Sequence, residues 1–168
     1  GRELLFLDAP GHARHHVVIR DGATGHFFAG DTFGLSYREL DQDGRQFVFP
    51  TTSPSQFDPP ALHRSIDRML AYRPAALYVT HFGQLTEPTA HGADLHRLID
   101  AHAALGERHR NAGAERKRLL KEGVSAIVLA ERERQGWRFP SEKVLEVFAL
   151  DIELNAQGIA SWLDSEGK

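Results

Sequence analysis

Apolar positions near the start of the chain come in short runs separated by turn-forming residues. The runs occupy residues 3–8, 16–20 and 26–30. Runs of this length between Gly, Pro and Asp residues are typical of β-strands. The glycine-containing connection at residues 21–25 further predicts that the second and third strands form an antiparallel pair.

A helix and another strand are predicted after residue 57. Asp58 suits the helix cap and the following prolines suit the first turn. Apolar residues then recur at helical spacing until Pro74 ends the helix. The apolar run at residues 75–80 predicts a strand, so a β-α-β order emerges.

The segment between these two regions, residues 33–58, has little periodicity. It carries five aromatic residues among Gly, Pro, Ser and Thr. One interpretation is a functional lid or binding loop, because long irregular loops in compact domains usually have such roles. The other is a β-hairpin that uses residues 46–49 as a strand.

The pattern in the last half of the chain predicts three helices, at about residues 90–105, 115–135 and 141–154. The mixed charges of the middle helix indicate a solvated face. The apolar segment 144–154 is interpreted as core packing, with a dimer contact as the alternative. The predicted class is a layered α/β fold.

Composition narrows the candidate chemistry. The chain has 168 residues, a formal charge of −3 and no cysteine, so a metal site must use His, Asp or Glu. Nothing in the charge favours nucleic acid, and no apolar stretch has the length of a membrane span. No signal-peptide remnant is visible, and we expect a cytoplasmic location. Histidine, by contrast, occurs ten times.

Three polar clusters follow predicted strands. They are Ala-Pro-Gly-His-Ala-Arg-His-His at residues 9–16, Gly-Asp-Thr at 30–32 and Thr-His-Phe-Gly at 80–83. Taken singly, a histidine such as His81 is more often a surface residue, and Asp31 is more often a turn residue. Together, imidazoles and a carboxylate at strand ends are suitable ligands for zinc, iron or manganese.

This combination resembles the second half of the metallo-β-lactamase-fold hydrolases. That family commonly carries Thr-Pro-Gly-His-Thr-x-Gly-His, then Gly-Asp-Thr, then a Ser/Thr-His pair. The resemblance implies that His16 binds one metal, that His81 binds the other and that Asp31 bridges both. It assigns His12 a role in supporting the loop. His15 replaces the usual glycine and is a second candidate for the surroundings of the metals.

The resemblance also implies a fold and an incomplete site. The family fold is an αββα sandwich of two similar halves, and its first metal motif, His-x-His-x-Asp-His, is absent here. The chain opens at Gly1, and its one methionine is internal. We therefore predict a C-terminal half at residues 1–105, with a helical extension at 106–168 packing on it. The N-terminal half of the same protein is the expected partner.

The implied activity is that of a metal-dependent hydrolase with two divalent ions, zinc being the expected metal. A metal-bound hydroxide would attack an ester-, thioester- or lactone-like small molecule. Phe33, Ser36 and Tyr37 are candidates for the substrate pocket. We expect the isolated chain to bind metal weakly and to be inactive.

Two other functions remain open at this point. One is a non-catalytic ligand- or partner-binding module that kept the fold, and the other is a di-iron oxidoreductase in the same ligand frame. Neither nucleic acid nor a membrane is an expected partner, and a homodimer is left open.

Overall fold

The computed structural model describes residues 1–52 and 55–166, and it divides the chain into two compact units. The α/β unit comprises Gly1–Thr51 and Asp58–Ile99. The helical unit comprises the described part of Thr52–Phe57 and of the chain from Asp100 onward. Within the described residues, no helix is long and apolar enough to cross a membrane.

The α/β unit contains one five-stranded sheet in the order β1-β2-β3-β4-β5. The strands are β1 (Leu4–Asp8), β2 (Val17–Asp21), β3 (Phe27–Gly30), β4 (Leu77–Val79) and β5 (Gly83–Leu85). The pairing of β2 with β3 is antiparallel, as predicted, and β3 pairs with β4 in parallel. The strand β5 was not predicted, because three residues are too few to show alternation.

The helix α1 (Pro59–Ala71) connects β3 to the parallel strand β4, which confirms the β-α-β order. The predicted N-terminal cap of α1 is confirmed, because a side-chain oxygen of Asp58 accepts a hydrogen bond from the backbone N–H of Ala61 at 2.9 Å. Such a cap contributes about 1 kcal/mol. The helix α2 (Pro88–His109) follows β5.

The long connection after β3 is a packed loop. Its described residues contain one short 3-10 helix, Arg38–Leu40, and two isolated bridges, of which one joins Leu35 to Phe49. Of the two interpretations of this segment, the β-hairpin with a strand at residues 46–49 does not form. Phe47, Val48 and Phe49 are consecutively buried, so the segment lacks the alternation of a half-buried strand.

The two faces of the sheet differ in exposure. Paired residues in neighbouring strands share a face, so Phe6, Ile19, Phe28 and Tyr78 form one row across four strands. Phe6 and Phe28 are exposed in this row, at 61% and 49%. The other face carries the buried core residues Leu7, Val18, Phe27, Ala29, Leu77 and Leu85.

The helical unit contains the end of α2, then α3 (Arg116–Gln135), α4 (Ser141–Val147) and α5 (Ala149–Glu166). The single helix predicted at residues 141–154 is therefore wrong, because the helical backbone is interrupted at Phe148. Val144, Phe148 and Ile152 are buried, in agreement with core packing of this segment. The boundary predicted after residue 105 lies inside α2.

Candidate metal centre

The sheet topology brings the three polar clusters to one edge. β1 and β3 are both antiparallel to β2, and β4 is parallel to β3, so β1, β3 and β4 run in the same direction. The segment 9–16 follows β1, Asp31 follows β3 and His81 follows β4. Since equivalent ends of parallel strands meet at one edge, residues far apart in sequence become neighbours.

Asp31 lies at the centre of the cluster, with one imidazole at each carboxylate oxygen. His81 Nε2 is 3.4 Å from Asp31 Oδ1. His12 Nε2 is 3.8 Å from Asp31 Oδ2. A carboxylate with a separate histidine at each oxygen is the arrangement expected of a bridging ligand.

The loop around Thr51 fixes the orientation of His12. His12 Nδ1 lies 2.9 Å from the backbone oxygen of Thr51, which accepts its proton, and the other nitrogen therefore faces Asp31. The hydroxyl of Thr51 donates a hydrogen bond to the backbone oxygen of Asp31 at 3.0 Å. A histidine whose second nitrogen is held by a carbonyl is typical of metal ligands. No sequence pattern pointed to Thr51, which lies in the irregular loop.

His16 uses both of its ring nitrogens inside the protein. The backbone N–H of Asp31 donates to His16 Nε2 at 3.1 Å. His16 Nδ1 lies 3.0 Å from the hydroxyl of Thr32, which donates onward to the backbone oxygen of Ala9 at 3.3 Å. Burial is the main cause that lowers the pKa of His16, and the nearby His12 adds to it. His16 thus holds the Asp31 backbone, whereas His12, which was predicted to support the loop, faces the carboxylate. The metal-ligand role of His16 stays a prediction.

Gly30 makes room for the His16 ring. Its backbone has φ +54°, and a Cβ placed there would lie 2.4 Å from His16 Cε1 and 2.6 Å from His16 Nε2. Such distances are far below ordinary contact, so a side chain at position 30 would displace the ring. The Gly-Asp-Thr cluster therefore has a physical reason for its glycine.

The remaining candidates occupy different surroundings. His15 and Arg14 are exposed, whereas Phe33 and Ser36 are buried. The side-chain oxygen of Ser36 accepts a hydrogen bond from Arg38, and its backbone N–H donates to the backbone oxygen of His81 at 3.2 Å. The ring of Tyr37 lies 5.0 Å from that of Phe82. The pocket assignments of Phe33, Ser36 and Tyr37 stay predictions.

The donor set suits divalent metal ions. Asp31 Oδ1 is buried and accepts no hydrogen bond from the described residues, with His81 Nε2 3.4 Å from it. Two donors on one tetrahedral zinc lie about 3.4 Å apart, close to the separations at Asp31. No group of three or more His, Asp or Glu side chains within residues 1–52 and 55–166 is arranged to hold an ion. At each oxygen of Asp31 the described residues place one imidazole, which is fewer donors than a complete metal site needs.

Comparisons with known proteins support the fold. No family model and no curated protein matches the chain. A solved structure of a metallo-β-lactamase family protein from Thermus thermophilus matches with a TM-score of 0.54 and 19% identity, over 99% of this chain and 46% of that chain. An archaeal metallo-β-lactamase superfamily protein from Sulfolobus tokodaii matches with a TM-score of 0.48 and 19% identity, over 95% of this chain and 46% of that chain.

The predicted fold class is thereby confirmed: the chain has the metallo-β-lactamase fold. It spans just under half the length of the solved structures that it matches.

Proposed function

We propose that this chain supplies one part of the metal centre of a metal-dependent hydrolase, with Asp31 as the shared ligand. The observation that carries the proposal is the buried Oδ1 of Asp31, which accepts no hydrogen bond from the described residues, together with the imidazoles at the two carboxylate oxygens. A buried anionic oxygen that accepts no hydrogen bond is costly, and a bound cation would compensate it.

In this proposal some residues bind the metal ions and others position those ligands. Asp31 and His81 would hold one ion, and Asp31 and His12 the other. His16 and Thr32 fix the Asp31 backbone, while Thr51 fixes His12. Divalent ions bound there would supply a nucleophile at neutral pH and polarise the carbonyl of an ester-, thioester- or lactone-like substrate.

An apolar surface beside His81 supports a substrate with a hydrophobic group. The ring of Phe82 is half exposed, lies 5.9 Å from that of His81 and contacts Tyr37. The fold alone does not choose a substrate, and this surface favours one that carries an apolar group.

The site would become complete only with the upstream half of the protein. Two observations support this requirement: each Asp31 oxygen faces a single imidazole, and the outer face of the sheet exposes Phe6, Val17 and Phe28. Exposed apolar surface of this kind marks an interaction site. We propose that the upstream half covers this face and supplies the missing ligands.

The proposal is tested by metal content and hydrolysis, measured on this chain alone and joined to its upstream half. We expect weak metal binding and no turnover for the chain alone, and two ions with hydrolysis of generic thioesters or lactones for the whole. A chain that alone holds two stoichiometric ions would contradict the requirement for the upstream half.

The same measurements distinguish the two alternative functions, a binding module and an oxidoreductase, from a hydrolase. A whole protein without metal or turnover would be a binding module. Iron content with oxygen-dependent activity would identify an oxidoreductase.

A further inference from the structure

A second group of histidines lies on the helices of the α/β unit, apart from the Asp31 cluster in sequence. His63 belongs to α1 and His96 to α2. Their Nδ1 atoms are 2.5 Å apart, shorter than an ordinary hydrogen bond between nitrogen and oxygen. Both side chains are partly exposed.

The two rings face each other edge to edge. Their planes are inclined by only 13°, and their centroids are 4.8 Å apart. The centroid separation exceeds the Nδ1–Nδ1 distance by about the width of one ring, so both nitrogens lie on the line between the rings. Two nitrogens this close hold one proton between them, because two protonated Nδ1 atoms would repel each other and two lone pairs would as well.

Asp67 orients this pair from behind. It lies one helical turn after His63, and its Oδ1 accepts a hydrogen bond from His96 Nε2 at 3.0 Å. This bond places the proton of His96 on Nε2 and directs the lone pair of its Nδ1 toward His63. A carboxylate behind a histidine in this way is typical of histidines that bind metal.

We propose that His63 and His96 bind a divalent first-row transition metal ion through their Nδ1 atoms, in place of the shared proton. Imidazole nitrogens suit Cu²⁺, Ni²⁺ and Zn²⁺, with Cu²⁺ bound most tightly. Metal–nitrogen bonds of roughly 2.0–2.1 Å require the nitrogens to separate by about 1 Å, which rotation of partly exposed side chains accommodates. The proton of His63 moves from Nδ1 to Nε2, so that both imidazoles bind the ion as neutral ligands, and water completes the coordination.

Nickel titration of this chain tests the proposal, with Asp31→Ala as the background that removes the strand-end cluster. We expect one Ni²⁺ per chain. His63→Gln and His96→Gln should each weaken binding at least tenfold. Asp67→Asn should weaken it by about tenfold with unchanged stoichiometry. His109→Gln, on the same helix as His96, is the matched control and should have no effect.

A measurement on the unsubstituted chain guards against variants that fail to fold. Substoichiometric Cu²⁺ should broaden the amide and imidazole NMR signals of His63 and His96 through its unpaired electron. Nickel binding that is as tight in both glutamine variants as in the Asp31→Ala chain would overturn the proposal. So would the absence of nickel binding in the Asp31→Ala background, or broadening confined to the region of Asp31.

Discussion

The α/β unit holds two groups of histidine and aspartate that use the same side chains in opposite ways. At the sheet edge, Asp31 is central and an imidazole lies at each of its oxygens. On the helices, the two imidazoles are central and Asp67 lies behind one of them. In the first group we propose the carboxylate of Asp31 as a metal ligand. In the second group the carboxylate of Asp67 orients His96, which is the proposed ligand.

The difference follows from the elements that carry each group. Three parallel strand ends bring residues from three distant segments around one point, which suits a shared central ligand. Two helices instead offer one residue each, and the i,i+4 spacing adds Asp67 beside His63. A histidine count in the sequence does not distinguish these arrangements.

The largest expected effect comes from removing the central carboxylate. In the whole protein, Asp31→Ala should lower hydrolysis by about 10²–10³-fold, because metal ions supply several kcal/mol of transition-state stabilisation. Metal content, measured on the same samples, should fall in parallel. Glu39→Ala, which removes an exposed carboxylate, is the control; unchanged turnover in Asp31→Ala would refute the assignment.

Gly30→Ala tests whether the His16 ring packs against this glycine as described. We expect a loss of about 2–4 kcal/mol in the free energy of unfolding, since the left-handed backbone and the overlap with His16 both oppose a side chain. Urea unfolding measures it. Gly44→Ala is the matched control, because Gly44 also has positive φ but a Cβ there meets nothing within 4 Å. Equal losses in the two variants would show that His16 contributes nothing.

A comparison of His12→Gln with His16→Gln tests which histidine binds metal at the sheet edge and which positions Asp31. His12→Gln should weaken metal binding at least tenfold with little change in stability, because its Nε2 faces Asp31. His16→Gln should cost about 1–3 kcal/mol of stability, because it disturbs the bonds to Asp31 and Thr32. Calorimetric metal titration and urea unfolding of both variants provide the comparison, and the opposite pattern would restore His16 as the ligand.

The smallest effect concerns His91, a buried histidine outside both groups. Burial lowers its pKa, and the nearby carboxylates of Asp94 and Glu87 oppose that shift. The unfolded chain therefore takes up the proton first, so stability is full above the ordinary histidine pKa and falls as the pH drops below it. His91→Leu should reduce the loss of stability between pH 7 and 5, measured by urea unfolding. His109→Leu is the control, and an unchanged pH slope in His91→Leu would contradict the account.

The sequence predicted the parts of the fold that depend on local pattern. The first three strands, the capped helix after Asp58 and the β-α-β order all follow from apolar spacing and turn residues. The strand β5 and the interruption at Phe148 escaped, since three residues show no period and an apolar stripe continues across a break in the helix. The strand considered as one alternative at residues 46–49 does not form, so a buried loop can have the composition of a strand.

The site was predicted less completely than the fold. The three clusters were visible in the sequence, the resemblance implied the central place of Asp31, and the structure brings those clusters to one edge. The proposed division of roles between His12 and His16 depends on where Thr51 and Thr32 direct each ring, which only the folded loop reveals. The pairing of His63 with His96 likewise depends on how two helices meet.

Anomalous diffraction at the zinc edge, from crystals of the whole protein grown with zinc, tests the central claim most directly. We expect anomalous peaks within bonding distance of Asp31, one beside His81 Nε2 and one beside His12 Nε2. Peaks bonded to His16 Nε2, with His12 turned away, would contradict it, as would zinc-loaded crystals with no peak at Asp31.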